Sequence, residues 1–216
     1  MAGTKRTSIR RTPKAQKPHV PRGTGPWRFP ECDAAHTLPL MPDTQAQLRR
    51  LIRDIPNFPK PGILFRDITP LLSDPSGLAL SVELMANPFR GKNIDLVVGA
   101  ESRGFIFGTA VACCLSAGFV IVRKPGKLPH QRISKSYDLE YGKDTLEMHA
   151  DAIVKGQRVL IVDDLLATGG TMQACCELVK ELGGEIAGIA VMIELSGLRG
   201  RDKLKPYGIH SVIQYQ

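Results

Sequence analysis

Short apolar runs recur along this chain, each closed by a polar or glycine-rich turn and followed by a segment of helical period. Residues 94–100 (IDLVVGA), 119–122 (FVIV) and 159–162 (VLIV) are too short for helices and rich in branched side chains, so they predict buried strands. Residues 185–195 hold a further strand and residues 210–215 a terminal one. A helix is predicted from about 105 to 117, and another over 172–182 (MQACCELVKEL), stopped by Gly183-Gly184. Upstream, Thr44 is placed to cap a helix whose Leu48, Leu51, Ile52 and Ile55 share one face. Asp74-Pro75-Ser76 opens a second, with Leu78, Val82 and Met85 at helical spacing and an end near Asn87-Pro88. Strands alternating with helices define an α/β class: a parallel central sheet flanked by helices, with ligands at the carboxyl ends of the strands.

Two stretches break this rhythm. Residues 56–70 (PNFPKPGILFRDITP) carry four prolines, which are expected to forbid a regular element. Yet Phe58, Ile63, Leu64, Phe65 and Ile68 make the stretch too apolar for open solvent, so it must lie against a core edge or a planar ligand. Residues 128–150 lack a core-like run; alternation over 133–139 and 145–149 predicts two short strands around residues 141–144. Such a flap can close over a site and exclude water.

Composition changes the picture in one respect. The chain has 216 residues and a formal charge of +8, a size that suits one domain plus appendages. Residues 1–40 hold Lys5, Arg6, Arg10, Arg11, Lys14, Lys17, Arg22 and Arg28 against Glu31 and Asp33, which is +6 and leaves only +2 for the rest. Residues 1–42, rich in Pro, Gly and basic side chains with no periodic apolar face, read as a disordered extension. A nucleic-acid arm and a transit segment are both weighed against an upstream extension with no structural role, Met41 being an alternative start. The last is preferred, so nucleic acid is not an expected partner. Residues 43–216 then form the working domain.

Among the five cysteines, the adjacent pairs Cys113-Cys114 and Cys175-Cys176 lack metal spacing and fall on predicted helices, as small buried apolar residues would. The odd count suits a reducing cytoplasm, no apolar run approaches a membrane span, and no two histidines sit at metal-ligand spacing.

The candidate chemistry centres on residues 159–171 (VLIVDDLLATGGT), where two aspartates are expected to end a strand before a glycine-rich turn and a helix start. The first amides of a helix have no internal partner and its dipole puts partial positive charge there, so the turn is a ready-made phosphate site. Gly169 and Gly170 let the backbone close around an anion, while Thr168 and Thr171 offer hydroxyl donors. The Walker loop needs a lysine after its last glycine and the dinucleotide fingerprint needs G-x-G-x-x-G; both are absent. The acidic pair suits a sugar phosphate, accepting hydrogen bonds from vicinal hydroxyls beside a hydrated magnesium ion. A second strand–turn–helix unit carries Glu101-Ser102-Arg103-Gly104 on the same sheet edge, and a basic cluster (Arg123, Lys124, Lys127) follows the next strand.

Four apolar residues, Asp163-Asp164, two residues, then Ala167-Thr168-Gly169-Gly170-Thr171 resemble the PRPP loop of the type I phosphoribosyltransferases. The string P-x-F-P-x-P-G-x-x-F-R-D-I-T-P (residues 56–70) is similar to the base-covering hood of the adenine-specific members, and S-Y-D-L-E-Y-G-K (residues 136–143) resembles the family's catalytic flap. The resemblance implies a type I core with an N-terminal hood (about 43–70) and a flexible β flap (about 125–150). It implies transfer of the phosphoribosyl group of PRPP to adenine, giving AMP and pyrophosphate, in a cytoplasmic homodimer. The 5′-phosphate falls to Ala167, Thr168, Gly169, Gly170 and Thr171, and the ribose to Asp163 and Asp164. Pyrophosphate falls to Glu101, Ser102, Arg103, Lys124, Lys127 and Tyr141, with a non-proline cis peptide at Glu101-Ser102. Adenine falls to Leu64, Arg66 and Leu165, and proton transfer to Glu140. Mg2+ is the implied cofactor, held by PRPP or pyrophosphate and water near Asp163 and Asp164 rather than by protein ligands. His130-Gln131-Arg132 departs from the small and acidic residues of that pattern, which bears on flap motion and charge. A phosphoribosyltransferase for another purine base would share the loop but not the hood. A PRPP-sensing regulator would need a DNA-binding domain, and residues 1–42 lack a helix-turn-helix period.

Overall fold

A computed structural model describes residues 42–138 and 143–216. The chain runs through α1 (Pro42–Arg50), β1 (Arg53–Pro56), β2 (Leu64–Asp67), α2 (Thr69–Ser73), α3 (Pro75–Ala86), β3 (Leu96–Ala100), α4 (Arg103–Cys114) and β4 (Gly118–Val122). It continues through β5 (Arg132–Asp138), β6 (Lys143–His149), β7 (Arg158–Leu166), α5 (Gly170–Glu181), β8 (Glu185–Leu195) and β9 (Ile209–Tyr215). Five strands form one parallel sheet in the order β4-β3-β7-β8-β9, so β3 and β7, some sixty residues apart in sequence, lie side by side.

Both faces of that sheet are covered, which is why β3, β4 and the first half of β7 are largely apolar. Leu160 and Val162 of β7 point to one core, with Phe107 and Val111 of α4 and Val82 and Met85 of α3. The alternating Val159 and Ile161 point to the other, with Met172, Leu178 and Val179 of α5 and with Leu146 and Met148 of β6. Each fully buried side chain of this kind contributes about 1.5–3 kcal/mol. At the start of α3, the Asp74 carboxylate accepts from the Gly77 amide at 2.6 Å and Pro75 occupies the first turn, as the sequence predicts.

Four expectations are corrected. Thr44 does not cap α1, which already begins at Pro42; proline suits a first turn because its missing N–H would be unpaired there anyway. Ile55 is not on that helix but in β1. The proline-rich stretch does contain a regular element: β2 pairs antiparallel with β1, Ile55 opposite Phe65 and Pro56 opposite Leu64. Three of its prolines stand clear of the pairing, Pro59 and Pro61 in the connecting turn and Pro70 in the first turn of α2, and Pro56 closes β1 at the end of the ladder, which leaves residues 64–67 free to make a strand. The turn is closed by the Asn57 carboxamide accepting from the Gly62 amide, and the Phe58–Pro59 bond is cis. Finally, Cys175 and Cys176 are buried as expected but Cys113 is exposed, because helical spacing turns it away from its neighbour's face.

The hood hairpin is tied to the domain through Asp67. One of its carboxylate oxygens accepts from the Thr69 hydroxyl and amide (2.6 and 2.9 Å), the other from Arg53 at 2.6 and 3.0 Å. The Thr69 hydroxyl first, then its amide and Arg53, hold the Asp67 carboxyl down at about 2. Its stabilising contribution is therefore complete above the ordinary aspartate value and lost as pH falls from there towards about 2. Asp67→Ala is expected to cost about 2 kcal/mol at pH 7. Melting curves from pH 5 to pH 2 should show the gap between variant and wild type closing; a gap independent of pH would contradict this.

Candidate active site

Pairing of Gly99 with Val162 across β3 and β7 sets the Glu101-Ser102 turn beside the two aspartates. The strand does not end at those aspartates. β7 runs on to Leu166, with Asp163 opposite Val191 and Leu165 opposite Ile193, because the eleven-residue β8 offers ladder partners to the end. The carboxylates are thus held by a rigid strand, and both are buried.

Around them opens a cavity of about 320 Å3. Its walls are Glu101, Ser102 and Arg103 after β3, Lys124 after β4, Tyr137 and Leu146 of the flap hairpin, and everything from Asp163 to Met172. Glu101, Ser102, Arg103 and Lys124 of the expected pyrophosphate residues therefore converge with the ribose pair and the 167–171 loop, and Leu165 joins them. The Glu101–Ser102 peptide is cis, as the resemblance implied. Lys127, Leu64 and Arg66 do not line the cavity. Lys127 is exposed, and the Arg66 guanidinium is occupied elsewhere, paired with Asp54 and lying 3.9 Å from the centre of the Tyr215 ring. What β2 can still offer is backbone, since it pairs only with β1 among the described residues. Glu140 and Tyr141 lie outside the described residues, as does the 1–41 portion of the extension.

The electrostatics follow from burial. Burial and then the Asp164 charge push the Asp163 carboxyl well above the ordinary aspartate range. Burial raises Asp164 too, against the pull of Arg103, whose Nε donates to the Asp164 carboxylate at 2.9 Å. Glu101 goes the other way: burial acts to raise it, but the Arg123 guanidinium at 2.7 Å and the Lys124 amide hold it below its usual value. Two acidic side chains that share one cation, Arg103, thus face turns rich in amides. The arrangement suits a ligand that brings hydroxyls, or a cation, to Asp163 and Asp164 while its anionic ends lie elsewhere.

Local chain geometry makes the anion subsites. Gly169, at φ +80°, stands just before α5, so the first amides of that helix open into the cavity with no partner inside it. Gly104 lets α4 begin hard against the aspartates: a Cβ there would lie 2.8 Å from the Asp163 carboxylate.

Several lining residues escaped the sequence reading. Strand alternation puts Leu146 and Met148 of β6 on the core-facing side of the flap; Asp144 shares that side and stands opposite Tyr137 of β5. The Tyr137 hydroxyl reaches Asp144 at 3.1 Å and accepts from the Thr171 hydroxyl at 3.5 Å. Phe65 of the hood also meets the site, its ring centre 5.4 Å from the Arg103 guanidinium. Period-two alternation was the signal for the first set; Phe65 became legible only once β2 was known to be a strand.

A parallel sheet with a phosphate cradle, a basic cis turn and an acidic pair at one edge defines a phosphoribosyltransferase core. Residues 69–215 match the family model described as the phosphoribosyl transferase domain. An adenine phosphoribosyltransferase of Koribacter versatilis is 60% identical over 168 residues, covering 78% of this chain and 92% of that protein. A crystal structure of the enzyme from Rhodothermus marinus superposes with a TM-score of 0.78 at 52% identity, covering 81% of this chain and 100% of the other. The enzyme from Saccharomyces cerevisiae, crystallised with D-2,5-dideoxy-2,5-imino-altritol 1,6-bisphosphate and adenine, gives 0.75 at 38% identity over 80% of this chain and 99% of its own. The chain belongs to the adenine phosphoribosyltransferase family.

Proposed function

We propose that this chain transfers the phosphoribosyl group of PRPP to adenine, releasing pyrophosphate and forming AMP, as a purine salvage step. The observation that carries the reading is the convergence of the 167–171 cradle, the 101–103 turn and the Asp163-Asp164 pair on one cavity. Amides and hydroxyls of residues 167–171 hold the 5′-phosphate throughout the reaction, so its binding energy orients the sugar. Asp163 and Asp164 accept from the ribose hydroxyls. Their charge favours the oxocarbenium-like carbon that forms as pyrophosphate departs towards Ser102, Arg103, Lys124 and Lys127.

Adenine lies against Leu165 and under the hood, where backbone at Leu64 and Arg66 reads its edge; Phe65, beside Arg103, adds an aromatic face. Glu140 takes the proton that adenine loses on forming the new bond, and returns it in reverse so that the base does not leave as an anion. Tyr141 shields the pyrophosphate end.

The donor set fits magnesium carried by the substrate. Among the described residues no cluster of three or more His, Cys, Asp or Glu could ligate a metal directly. Asp163 and Asp164 nonetheless stand side by side in the cavity wall, where a pair of carboxylates can meet a hydrated cation. When bound, that ion neutralises charge on the leaving pyrophosphate.

A cytoplasmic homodimer completes the proposal. It rests on the family and on free cysteines among the described residues, Cys175 and Cys176 being buried thiols and Cys176 pushed up to about 12. Among the described residues no helix is long and apolar enough to cross a membrane.

The test is pyrophosphate release from PRPP with Mg2+, comparing adenine, hypoxanthine, guanine and xanthine, alongside Glu140→Gln. Adenine alone should turn over, and the variant should lose about a hundredfold in kcat. Turnover of an oxopurine would keep the fold and overturn the base assignment; binding of PRPP without turnover of any base would favour a sensor.

A further inference from the structure

The anion site contains an anion of its own. Lys124, expected to hold pyrophosphate, is already paired with Asp144, which projects from β6 of the flap and is not itself in the cavity wall. The same Asp144 oxygen accepts from the Tyr137 hydroxyl at 3.1 Å, while its other oxygen accepts from the Thr145 amide at 2.8 Å. Tyr137 in turn touches Thr171 of the phosphate cradle. One carboxylate thus bears on both anion subsites, directly on Lys124 and through Tyr137 on Thr171. The other cavity-facing cation, Arg103, is also paired, but with Asp164, which has work to do on the ribose. Asp144 has no such role in the reaction.

We propose that Asp144 is an internal competitor for Lys124, a positioning residue that weakens pyrophosphate binding and so speeds its release. The inference rests on pyrophosphate lying at Lys124 as proposed above. The physical basis is charge competition. A single ammonium faces either a carboxylate of one negative charge or a more highly charged phosphate group. The phosphate wins, but its net gain is reduced by the pair that must be broken. Lys124 is 43% exposed and Asp144 21%, so solvent screens the pair and the competition is mild enough to be reversible. Loss of the Asp144 charge should leave Lys124 uncompensated and the site greedier for anions. In Asp144→Asn the amide oxygen can still accept from the Thr145 amide while the amide nitrogen donates to the Tyr137 hydroxyl, so the flap contacts persist while the charge is removed.

The experiment is calorimetric titration of the full-length protein with inorganic pyrophosphate and Mg2+. Asp144→Asn should tighten binding by about two- to fivefold, the scale of one part-exposed ion pair. Asp144→Glu should return to the wild-type value, and Asp144→Asn should have no effect when Lys124→Ala is also present. A melting temperature near wild type guards against misfolding, and Asp144→Ser, which keeps a small acceptor, serves if the amide variant is unstable. Unchanged or weaker binding in a folded, uncharged variant overturns the competitor role. Failure of the wild type to bind pyrophosphate at all would instead overturn the placement of pyrophosphate at Lys124.

Discussion

Gly200→Ala is expected to reduce kcat/KM for PRPP by about a thousandfold although Gly200 lies outside the cavity wall. Its added Cβ would stand 2.3 Å from the Ala167 carbonyl oxygen, 3.0 Å from the Leu166 side chain and 3.1 Å from the Gly169 amide nitrogen. Two of those neighbours are backbone of the phosphate cradle and cannot rotate away, so the loop must move. The contact is reciprocal: a Cβ on Gly169 would meet the Gly200 carbonyl oxygen at 2.5 Å, at a residue already held at φ +80°. The 200–204 turn is therefore the floor on which residues 167–170 rest. That turn is itself anchored, because Arg201 donates to the buried Glu194 of β8 at 2.7 Å through two nitrogens. Displacing the cradle by an ångström costs about a hundredfold from misorientation, and losing an amide donor to phosphate costs about tenfold or more besides. Gly197→Ala is the control, since nothing lies closer than 3.8 Å to its Cβ. Steady-state kinetics with varied PRPP checks the pair. Wild-type turnover in Gly200→Ala, with Gly197→Ala alike, would show that the contact does not shape the site.

Asp163→Asn should separate stability from function. The Asp163 carboxyl is buried beside Asp164, and burial followed by that neighbouring charge raises its pKa well above the ordinary value of 3.8. For an acid raised in the folded state, the stabilising balance holds below its unfolded pKa and is lost as pH climbs through the folded one. At neutral pH the native protein thus bears the cost of an acidic group whose negative charge burial disfavours, kept for the sake of its ligand. Asparagine removes that charge while its carbonyl can still accept from the Asp164 amide, now 2.9 Å away. The unliganded variant is expected to be about 1–2 kcal/mol more stable at pH 7, or roughly 2–8 °C in Tm, with the advantage vanishing as pH falls to about 4. Its kcat should fall by about 10²–10³, because a charge facing the developing cationic carbon is gone. Thermal melting across pH 4–8 and single-turnover kinetics are the measurements. A variant less stable than wild type at every pH would contradict the charge argument.

Much of the site was legible in the sequence because its pieces are local. A buried strand, a glycine-rich turn and a helix start occupy thirteen consecutive residues, and the chemistry of free helix amides needs nothing further away. The same holds for Glu101-Ser102-Arg103 and for the alternation that predicted the flap strands. Where reading failed, the deciding contact was distant or the pattern ambiguous. Proline content masked β2 because its partner strand, not its own composition, makes it regular. The length of β7 was hidden because aspartates look like a strand end until β8 is seen beside them.

By itself, then, the sequence determined the α/β class, the strand–turn–helix units, the phosphate cradle and the acidic pair, since each depends on propensity, period and spacing within one short segment. The tertiary structure alone decided the strand order β4-β3-β7-β8-β9, the contact of Asp144 with Lys124 twenty residues away, and the support of Gly169 by Gly200. Such contacts are set by how packed layers close on one another, which burial and backbone geometry dictate and no local pattern encodes.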